Sequence, residues 1–538
     1  MARKIRSKKP LGVDEPLYHA DHARPVTRRE FIRQGFIGGS ASLLSGSLFS
    51  SLLMNSNTTQ AALSEDISLL AKDIGCSFGV DGGKVPFICF DLAGGANLAG
   101  SNVLVGGAGG QNDGTISTAG HSKMGIPGDM VPGLDSTNFT LLNGSINNDF
   151  VNDQLGLLFH ADSAMLNGIL EKAGVSIGNI DGCVIPARSD NDTGNNPHNP
   201  LYGISLAGGQ GTVVDLIGSR SSDSGGNSMA PADMINPEFR PTKVDRPSDV
   251  TGMVDVGNLT SILSNPADVT AVMESMARIS HKKLKLDLVN TELTNDKLVK
   301  DLVRCGYLKS ADLTNRFAGI PVDPLLDPNI VDDSSGIFTN AEMNDAEFRK
   351  TASVMKMVLS RYSAGGCITM GGYDYHTGNR SAGENRDRRA GRCIGACLNY
   401  AQRLGSPLMI YVYSDGSVAS NGMRDTSADT GTQLGGRGKG QWTGDNSSTA
   451  CSFMLVYSPV AKPTPIITGR QIGRFSSDAS VVTSSSPAAN NVNLLVNTVL
   501  LNYMALNNDL GQFATIFDKH GLGSGTSYEQ YVAFNPVI

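Results

Sequence analysis

The sequence lacks several features that would assign it to a class at once. Its eight cysteines include no Cys-x-x-Cys pair, which argues against a structural zinc ribbon. After residue 62 no run of 18 or more apolar residues occurs, so we expect no permanent membrane span in that part of the chain. No internal repeat is present. The composition is otherwise globular, with 40% hydrophobic residues and 18% charged residues among 538, and the 63 glycines predict many turns and long loops.

Basic residues are in excess only at the N-terminus. Residues 1–62 carry nine Lys and Arg against four Asp and Glu, whereas the remainder carries 35 against 47. An acidic body argues against nucleic acid as the main partner. It is compatible with the binding of a cation.

Residues 1–62 have the order of a twin-arginine export signal. TRREFIR at 27–33 contains the paired Arg28 and Arg29, and a moderately apolar Gly/Ser-rich stretch follows at 34–54. NSNTTQAA (55–62) offers a small-residue cleavage site near Ala61 or Ala62. The alternative is a basic loop before a buried helix. We expect the protein to use the twin-arginine translocation machinery, and the mature chain to be soluble in the periplasm or outside the cell.

The cysteines do not reveal a disulfide framework, although an exported protein could form one. Cys89, Cys367 and Cys451 lie in or beside apolar strand-like runs, where a free thiol behaves as a small core residue. Cys393 and Cys397 share one helix face, and helix geometry disfavours a bridge between them. We therefore predict mostly buried thiols.

Strand-like and helix-like patterns alternate from residue 85 onwards. Short apolar runs predict strands at 85–92, 179–189, 366–372, 407–414 and 449–459. Helical spacing of apolar residues predicts helices at 152–174, 266–290, 341–366, 384–405 and 491–506. This order predicts an α/β fold with a mainly parallel sheet covered by helices. We expect a single domain over 63–538, in which the loop-rich segment 186–260 is a candidate cap or accessory insertion.

Polar residues follow several of the predicted strands. Asp374 and His376 come after the strand at 366–372, and Asp415 follows the strand at 407–414. Asp445 precedes the strand at 449–459, and Asn97 follows the first strand. Ligands of open α/β sheets bind beyond the carboxyl ends of the strands, and carboxylates with an imidazole suit a divalent cation. The competing interpretation is that Asp, Asn and Gly simply end strands and form turns.

One stretch resembles a family signature. GGYDYHTGN (371–379) is similar to the Gly-Gly-Trp-Asp-Thr-His-x-x-Gln motif of an uncharacterised family of twin-arginine-exported proteins, the domain of unknown function 1501. That family is similar in fold to the alkaline phosphatase and sulfatase superfamily. FDLAGGAN (90–97), YVYSDGSVASNG (411–422) and TGDNSS (443–448) match further segments of the family in order, although only 371–376 is specific. The resemblance implies an alkaline-phosphatase-like architecture with helices on both sheet faces and loop-rich insertions.

The resemblance also implies metal ligands, with departures. Asp374 and His376 match the signature, and Asp415 and Asp445 stand where further ligands are expected. Asn97 replaces an Asp of the family, and an Asp-Asn pair at 445–446 replaces Asp-His. These changes predict at most one divalent cation (Zn, Mn, Mg or Ca), and the sequence leaves open that none is bound.

Two hypotheses follow from this comparison. The first is an exported metal-dependent hydrolase of phosphate or sulfate esters. The second is a catalytically eroded relative that serves as a periplasmic or cell-surface binding or assembly protein. The nucleophile is not identified, because nothing distinguishes Ser101, Ser122 and Ser414 from turn or cap residues.

Two loops carry weaker signals. In SDNDTGNNPHNP (189–200), Asp190 and Asp192 lack the later ligands of a calcium loop, which favours a polar loop. His198 of the same loop reaches the site only if the loop folds over it, and it is a weak candidate for substrate binding together with Asn97. GGRGKG (435–440) lacks the spacing and the Ser/Thr of a phosphate-binding loop, so we interpret it as a flexible loop.

Overall fold

The computed structural model describes residues 63–538 with short gaps. The gaps are 77, 79–80, 135–138, 147–148, 190–195, 255–262, 264, 286–295, 318–321 and 379. The predicted export signal with Arg28 and Arg29 lies outside the described residues, as do Asp190 and Asp192. The described chain divides into two compact units. One contains 63–76 and the described residues between 256 and 318, and the other contains the described residues of 77–255 and 319–538.

The elements of the described residues are numbered along the chain. The helices are α1 (Glu65–Asp73), α2 (Thr118–Lys123), α3 (Ala164–Lys172), α4 (Leu201–Leu206), α5 (Pro247–Val254), α6 (Pro266–Lys285), α7 (Asp296–Phe317), α8 (Ala346–Leu359), α9 (Arg380–Leu404), α10 (Val492–Leu506) and α11 (Phe513–Ile516). The strands are β1 (Phe87–Leu92), β2 (Val151–Leu155), β3 (Leu157–His160), β4 (Ile180–Pro186), β5 (Leu216–Gly218), β6 (Thr242–Lys243), β7 (Gly365–Met370), β8 (Leu408–Ser414), β9 (Val418–Arg424), β10 (Gly440–Asp445) and β11 (Cys451–Tyr457). No described helix has the length and apolar character needed to cross a bilayer.

A seven-stranded sheet in the order β4-β11-β8-β1-β7-β5-β6 forms the centre of the larger unit. All pairs from β8 to β6 are parallel, whereas β11 runs antiparallel to both β8 and β4. The prediction of a mainly parallel α/β sheet is therefore confirmed. Part of segment 186–260 belongs to this sheet, since β5 and β6 extend its edge.

Helices cover both faces of the sheet because successive side chains of the buried strands point to opposite sides. One core includes Ile88 and Phe90 of β1 together with residues of α3, α8 and α9. The other includes Phe87 and Cys89 of β1 together with residues of α4 and α10. Helix starts are fixed by capping side chains: Asp345 accepts a hydrogen bond from the backbone of Glu347 at the start of α8.

The helix predicted at 152–174 is wrong for its first half. Residues from Val151 to His160 form the β2–β3 hairpin, and α3 begins only at Ala164. Gly156 joins the two strands with φ +76°, and a side chain there would meet the carboxylate of Asp181. The spacing of the apolar residues at 155–159 is compatible with one face of a helix as well as with two short strands. The turn at Gly156 is what makes this segment a hairpin.

The smaller unit is helical and contains α1, α6 and α7. Arg278 of α6 makes an ion pair with Asp66 of α1 and another with Glu274, four residues earlier in α6. A disulfide joins Cys76 to Cys305 in α7, a pairing that the sequence did not reveal. The other six cysteines are free and buried, which confirms the prediction of mostly buried thiols.

The disulfide gives a first prediction. Thiol titration of the exported protein in denaturant should count six thiols without reductant and eight after reduction. Cys76→Ser combined with Cys305→Ser should lower the free energy of unfolding of the helical unit by about 2–5 kcal/mol, since the open chain regains conformational entropy. A count of eight thiols before reduction would contradict the assignment.

Candidate functional site

The loop that carries Asp374 and His376 is attached to the carboxyl end of β1. The backbone N–H of Ala93 donates to the carbonyl of Met370 at 2.9 Å, and the N–H of Tyr373 donates to the carbonyl of Ala93 at 3.0 Å. The ends of β1 and β7 are in register, because Leu92 lies opposite Met370. The loop 371–376 therefore leaves the sheet directly beside the turn that follows β1.

Gly94 makes that close approach possible. Its φ is +123°, and a side-chain carbon at Gly94 would come within 2.4 Å of the backbone nitrogen of Asp374. Such a contact is sterically forbidden, so the turn can support the loop only with glycine at this position. The side chain of Asp374 is 68% exposed.

Asp374, His376 and Asp445 bring potential metal ligands together. One ligand atom from each lies within 4.8 Å of the other two. The His376 Nε2 atom is 2.7 Å from Asp374 Oδ1 and 4.0 Å from Asp445 Oδ1. His376 is 35% exposed and Asp445 is 52% exposed, so solvent reaches the group.

Strand β10 carries Asp445, and two contacts hold it beside the loop. The N–H of Gly378 donates to the carbonyl of Trp442 at 2.6 Å. The guanidinium of Arg380 lies 4.3 Å from the centre of the Trp442 ring, a cation–π contact at the start of α9. These contacts fix the position of β10 relative to residues 374–378.

A buried ion network stabilises the same region. Arg380 donates to Glu384 at 2.7 Å, and Lys439 donates to the other oxygen of Glu384 at 2.7 Å. Lys439 also lies 3.2 Å from Asp162, which forms a further ion pair with Arg437. The charges of this network are buried except that of Arg437, which is half-buried. Removal of one buried partner would therefore leave an uncompensated charge. The network anchors the first turn of α9 to the strand that carries Asp445.

Asp415 lies at the same edge of the sheet but outside this group of ligands. It is buried, and its Oδ1 atom accepts hydrogen bonds from the N–H groups of Gly94 at 2.7 Å and Gly95 at 3.1 Å. Burial raises the pKa of this carboxyl above its usual range, although the two N–H donors favour the charged form. Asp415 thus fixes the turn that supports Asp374.

Asn97 is also committed to the backbone. Its amide nitrogen donates to the carbonyl of Val418 at 3.0 Å, and its side-chain oxygen accepts from Ser101 at 3.0 Å. Its N–H donates to the hydroxyl of Tyr375 at 3.1 Å. Among the described contacts Asn97 therefore orders the loop around Tyr375, and it is not one of the three converging residues.

The loop at 196–199 does fold over the carboxyl end of β8. The side chain of Asn196 donates to the carbonyl of Asp415 at 2.9 Å. His198 stacks on Tyr413 with 5.5 Å between the ring centres, and its Nε2 atom lies 2.7 Å from the hydroxyl of Ser189. Burial lowers the pKa of His198 to about 3. A fully buried neutral imidazole in this place packs the loop against the strand.

The remaining positions have structural roles. Asn446 accepts from the N–H and the hydroxyl of Ser448, which starts the turn after β10. Ser101 and Ser414 are buried, and Ser414 donates to the carbonyl of Leu92 at 2.6 Å. Their hydroxyl groups are therefore occupied.

One residue near the site was missed from the sequence. Four of the arginines at 380–392 make ion pairs with acidic residues, namely Arg380, Arg388, Arg389 and Arg392. Arg386 makes no side-chain hydrogen bond or ion pair with any described residue, and a side-chain carbon built on Gly372 would lie 3.0 Å from its Nε atom. An arginine-rich helix start gives no signal that distinguishes the unpaired member.

The three converging side chains fit a divalent cation. Two donors at about 2.1 Å from one ion with tetrahedral geometry are about 3.4 Å apart, between the two separations observed from His376. An imidazole with two carboxylates suits Zn or Mn, whereas Mg and Ca prefer oxygen alone.

A scan against protein-family models and a search of curated proteins both find no match to this chain.

Gly94 gives a prediction for the site. Gly94→Ala should lower the free energy of unfolding by more than about 2 kcal/mol and weaken Zn²⁺ binding about tenfold, because the new methyl group displaces the backbone at Asp374. Gly133→Ala is the matched control, since Gly133 has φ +85° with nothing within 4 Å of the added carbon. Chemical denaturation and calorimetric Zn²⁺ titration measure both. Equal effects of the two substitutions would contradict the role of Gly94.

Asp387 in α9 predicts a pH dependence of stability. Burial raises its pKa to about 7, and only its Oδ2 atom has a partner, the amide of Asn102 at 2.8 Å. The folded state thus binds the proton more tightly than the unfolded state. The stabilisation is full below about pH 4 and is lost as the pH rises to about 7.

Asp387→Asn should remove this dependence, because an amide stays neutral. The free energy of unfolding of the variant, minus that of the wild type, should rise by on the order of 3–4 kcal/mol between pH 4 and pH 7.5. The exposed substitution Asp233→Asn serves as control. Denaturant titration across this pH range makes the comparison, and a difference independent of pH would refute it.

Proposed function

We propose that this protein is an exported, metal-dependent hydrolase of phosphate or sulfate esters with an alkaline-phosphatase-like architecture. The observation that carries the proposal is the convergence of Asp374, His376 and Asp445 within 4.8 Å. The group stands at the carboxyl edge of a mainly parallel sheet, where α/β proteins bind their ligands. The similarity of 371–376 to the family signature supports the same assignment.

Asp374, His376 and Asp445 would hold one divalent cation, Zn or Mn by their donor chemistry. A cation bound there would supply a Lewis acid that could polarise a phosphoryl or sulfuryl oxygen and activate water. The exposure of the three side chains leaves room for an ester at the remaining coordination positions. Asp415 acts indirectly, since it holds the N–H groups of Gly94 and Gly95 under the loop of Asp374.

Arg386 would bind the anionic group of the ester. Two carboxylates and a dication sum to no net charge, so recognition of an anion needs a further cation. Arg386 is the member of its cluster without an acidic partner among the described residues. A planar guanidinium suits a phosphate or sulfate oxygen pair.

The export hypothesis has independent support in the disulfide between Cys76 and Cys305. Structural disulfides persist in oxidising compartments and are rare in the cytosol. Together with the pattern of residues 1–62, this favours passage through the twin-arginine translocation machinery to the periplasm or the cell exterior.

A second candidate function is favoured by the same details. Asn97 and Asn446, which stand where the family has ionisable ligands, are engaged in backbone hydrogen bonds. Ser101 and Ser414 are buried with their hydroxyl groups in use. These observations support a catalytically eroded relative that binds or assembles at the cell surface, with or without a cation.

A metal titration tests the proposed site. Calorimetry with Zn²⁺, Mn²⁺, Mg²⁺ and Ca²⁺ should give one site per chain, with Zn²⁺ or Mn²⁺ bound most tightly. Asp374→Asn and His376→Gln should each weaken binding about a hundredfold, at the upper end of the effect of outer-shell substitutions, because the first removes a ligand's charge and the second removes the imidazole. Asp233→Asn is the control, as an exposed carboxylate outside the group. Absence of binding would refute the metal site.

Turnover then separates the two functions. 4-Nitrophenyl phosphate, bis(4-nitrophenyl) phosphate and 4-nitrophenyl sulfate are assayed with the metal-loaded protein. A hydrolase should lose its kcat/KM with Asp374→Asn, and Arg386→Leu should raise KM more than it lowers kcat. Cation binding without turnover of any ester would favour the eroded relative.

A further inference from the structure

Two basic side chains converge on the turn that follows β10. Lys123, the last residue of α2, donates from its Nζ atom to the hydroxyl of Ser448 at 3.1 Å and to that of Ser480 at 3.0 Å. Arg188, two residues after β4, donates to the hydroxyl of Ser447 at 3.4 Å. Cations from two separate segments thus contact consecutive serines of one turn.

Neither cation forms an ion pair with a carboxylate in the part of the chain that the structure describes. An ammonium group has three N–H donors, and Lys123 uses two of them on serine hydroxyls. The hydroxyl of Ser447 accepts from Arg188 and has no acceptor of its own among the described residues. Lys123 and Ser447 are half-buried and Arg188 is exposed, so solvent reaches all three. The turn therefore presents positive charge and unused hydrogen-bond donors to the surface.

The serines that orient Lys123 are themselves fixed. The hydroxyl of Ser448 donates to the side chain of Asn446 at 2.7 Å. The loop before Ser480 is attached to α2, because the N–H and the hydroxyl of Ser117 donate to the carbonyl of Ser477 at 2.9 and 2.8 Å. Ala479 in this loop is buried with φ +60°, a left-handed conformation that an alanine keeps only where its surroundings impose it.

Asp478 is the acidic residue whose charge opposes an anion at this turn. Its carboxylate accepts from the hydroxyls of Ser476 at 2.6 Å and Ser480 at 3.0 Å. Its pKa is held below the usual range, mainly by the hydroxyl of Ser476, with smaller contributions from Ser480 and from the charge of Lys123. One carboxylate against two cations leaves the group of Lys123, Arg188 and Asp478 with a net positive charge.

We infer that Lys123, Arg188 and Ser447 bind a phosphate or sulfate group. An ammonium and a guanidinium are the side chains that suit such an anion, and a hydroxyl can donate to it. Ser448 is three residues from Asp445, so their Cα atoms are at most about 11 Å apart. Resting on the proposed hydrolase function, the bound group is a second anionic group of the ester, and the substrate class is a molecule with two phosphate or sulfate groups.

Inorganic phosphate tests the anion site without the metal site. Calorimetry with the full exported protein, freed of metal with EDTA and kept at low ionic strength, should detect phosphate binding in the millimolar range. Lys123→Met and Arg188→Met should each weaken it about tenfold, because each removes a charged donor. Lys519→Met is the control, as an exposed lysine of the C-terminal segment.

Two further variants separate charge from structure. Lys123→Arg keeps the charge and should stay within about threefold of the wild-type affinity. Asp478→Asn removes the opposing charge and should strengthen phosphate binding about threefold, an effect that loss of structure would not produce. Lys123→Gln serves if the Met variant does not give a native circular dichroism spectrum.

A pair of phosphonates that cannot be hydrolysed as esters tests the second anionic group. Hexane-1,6-diyl bisphosphonate and hexylphosphonate differ in one phosphonate group. The bisphosphonate should bind the Zn²⁺-loaded protein at least about tenfold more tightly, because both of its ends are then held. This preference should disappear in Lys123→Met and in the metal-free protein.

The outcomes distinguish the anion site from the proposed hydrolase. No phosphate binding by the metal-free protein, or equal binding by wild type, Lys123→Met and Arg188→Met, would overturn the anion site. Equal affinity of the two phosphonates for the Zn²⁺-loaded protein would overturn the assignment to a second group of the substrate. If the metal site fails instead, Zn²⁺ does not bind, whereas phosphate still binds and still depends on Lys123.

Discussion

The candidate site depends on the hydrogen bonds that the carboxylate of Asp415 accepts from the turn after β1. It is buried at the end of β8, where its Oδ1 atom accepts from the N–H groups of Gly94 and Gly95. A buried carboxylate is tolerated when such donors compensate its desolvation. The turn held in this way touches the backbone of Asp374. One side chain therefore connects β8, the turn after β1 and the loop after β7, and it determines where the exposed ligands stand.

A second layer of support lies at the start of α9. The network of Arg380, Glu384 and Lys439 is buried, and Arg380 lies over Trp442. Its contribution to stability is modest, because the desolvation of the ions offsets their attraction. It also links α9 to β10, since Lys439 directly precedes β10 and Arg380 donates to the carbonyl of Gly440 at 3.3 Å. His376 precedes this helix and Asp445 ends this strand, so the network connects the two segments that carry these side chains.

The sequence predicted the sheet better than it predicted the site. β1, β7, β8 and β11 are short apolar runs between turn residues, and such runs have one stable place in an α/β protein. The hairpin around Gly156 was read as helix because its apolar residues fit both periods. The pairing of Cys76 with Cys305 spans 229 residues, and no local pattern carries such a distance.

For the site, the sequence identified the three converging residues, but it could not exclude Asp415 as a fourth metal ligand. All four are acids or a histidine near strand ends, and the difference lies in what each atom faces. Asp374 and Asp445 are exposed, whereas Asp415 faces two backbone N–H groups. The surroundings of each side chain depend on the backbone dihedral angles at Gly94 and on the course of β10. The residue types at the strand ends encode neither of these. Arg386 could not be identified from the sequence for the same reason, since its lack of an ion pair depends on which residues surround it in three dimensions.

The hydrogen bonds of Asn97 argue against a second cation at the site. Asn97 donates to the carbonyl of Val418 and accepts from Ser101, so both atoms of its amide are used. A carboxylate in its place would set a negative oxygen against the Val418 carbonyl and would lose that hydrogen bond. Asn97 therefore has a neutral, structural role, and we expect that Asn97→Asp would not create a metal ligand. We therefore propose at most one cation, held by Asp374, His376 and Asp445, whose ligand atoms converge.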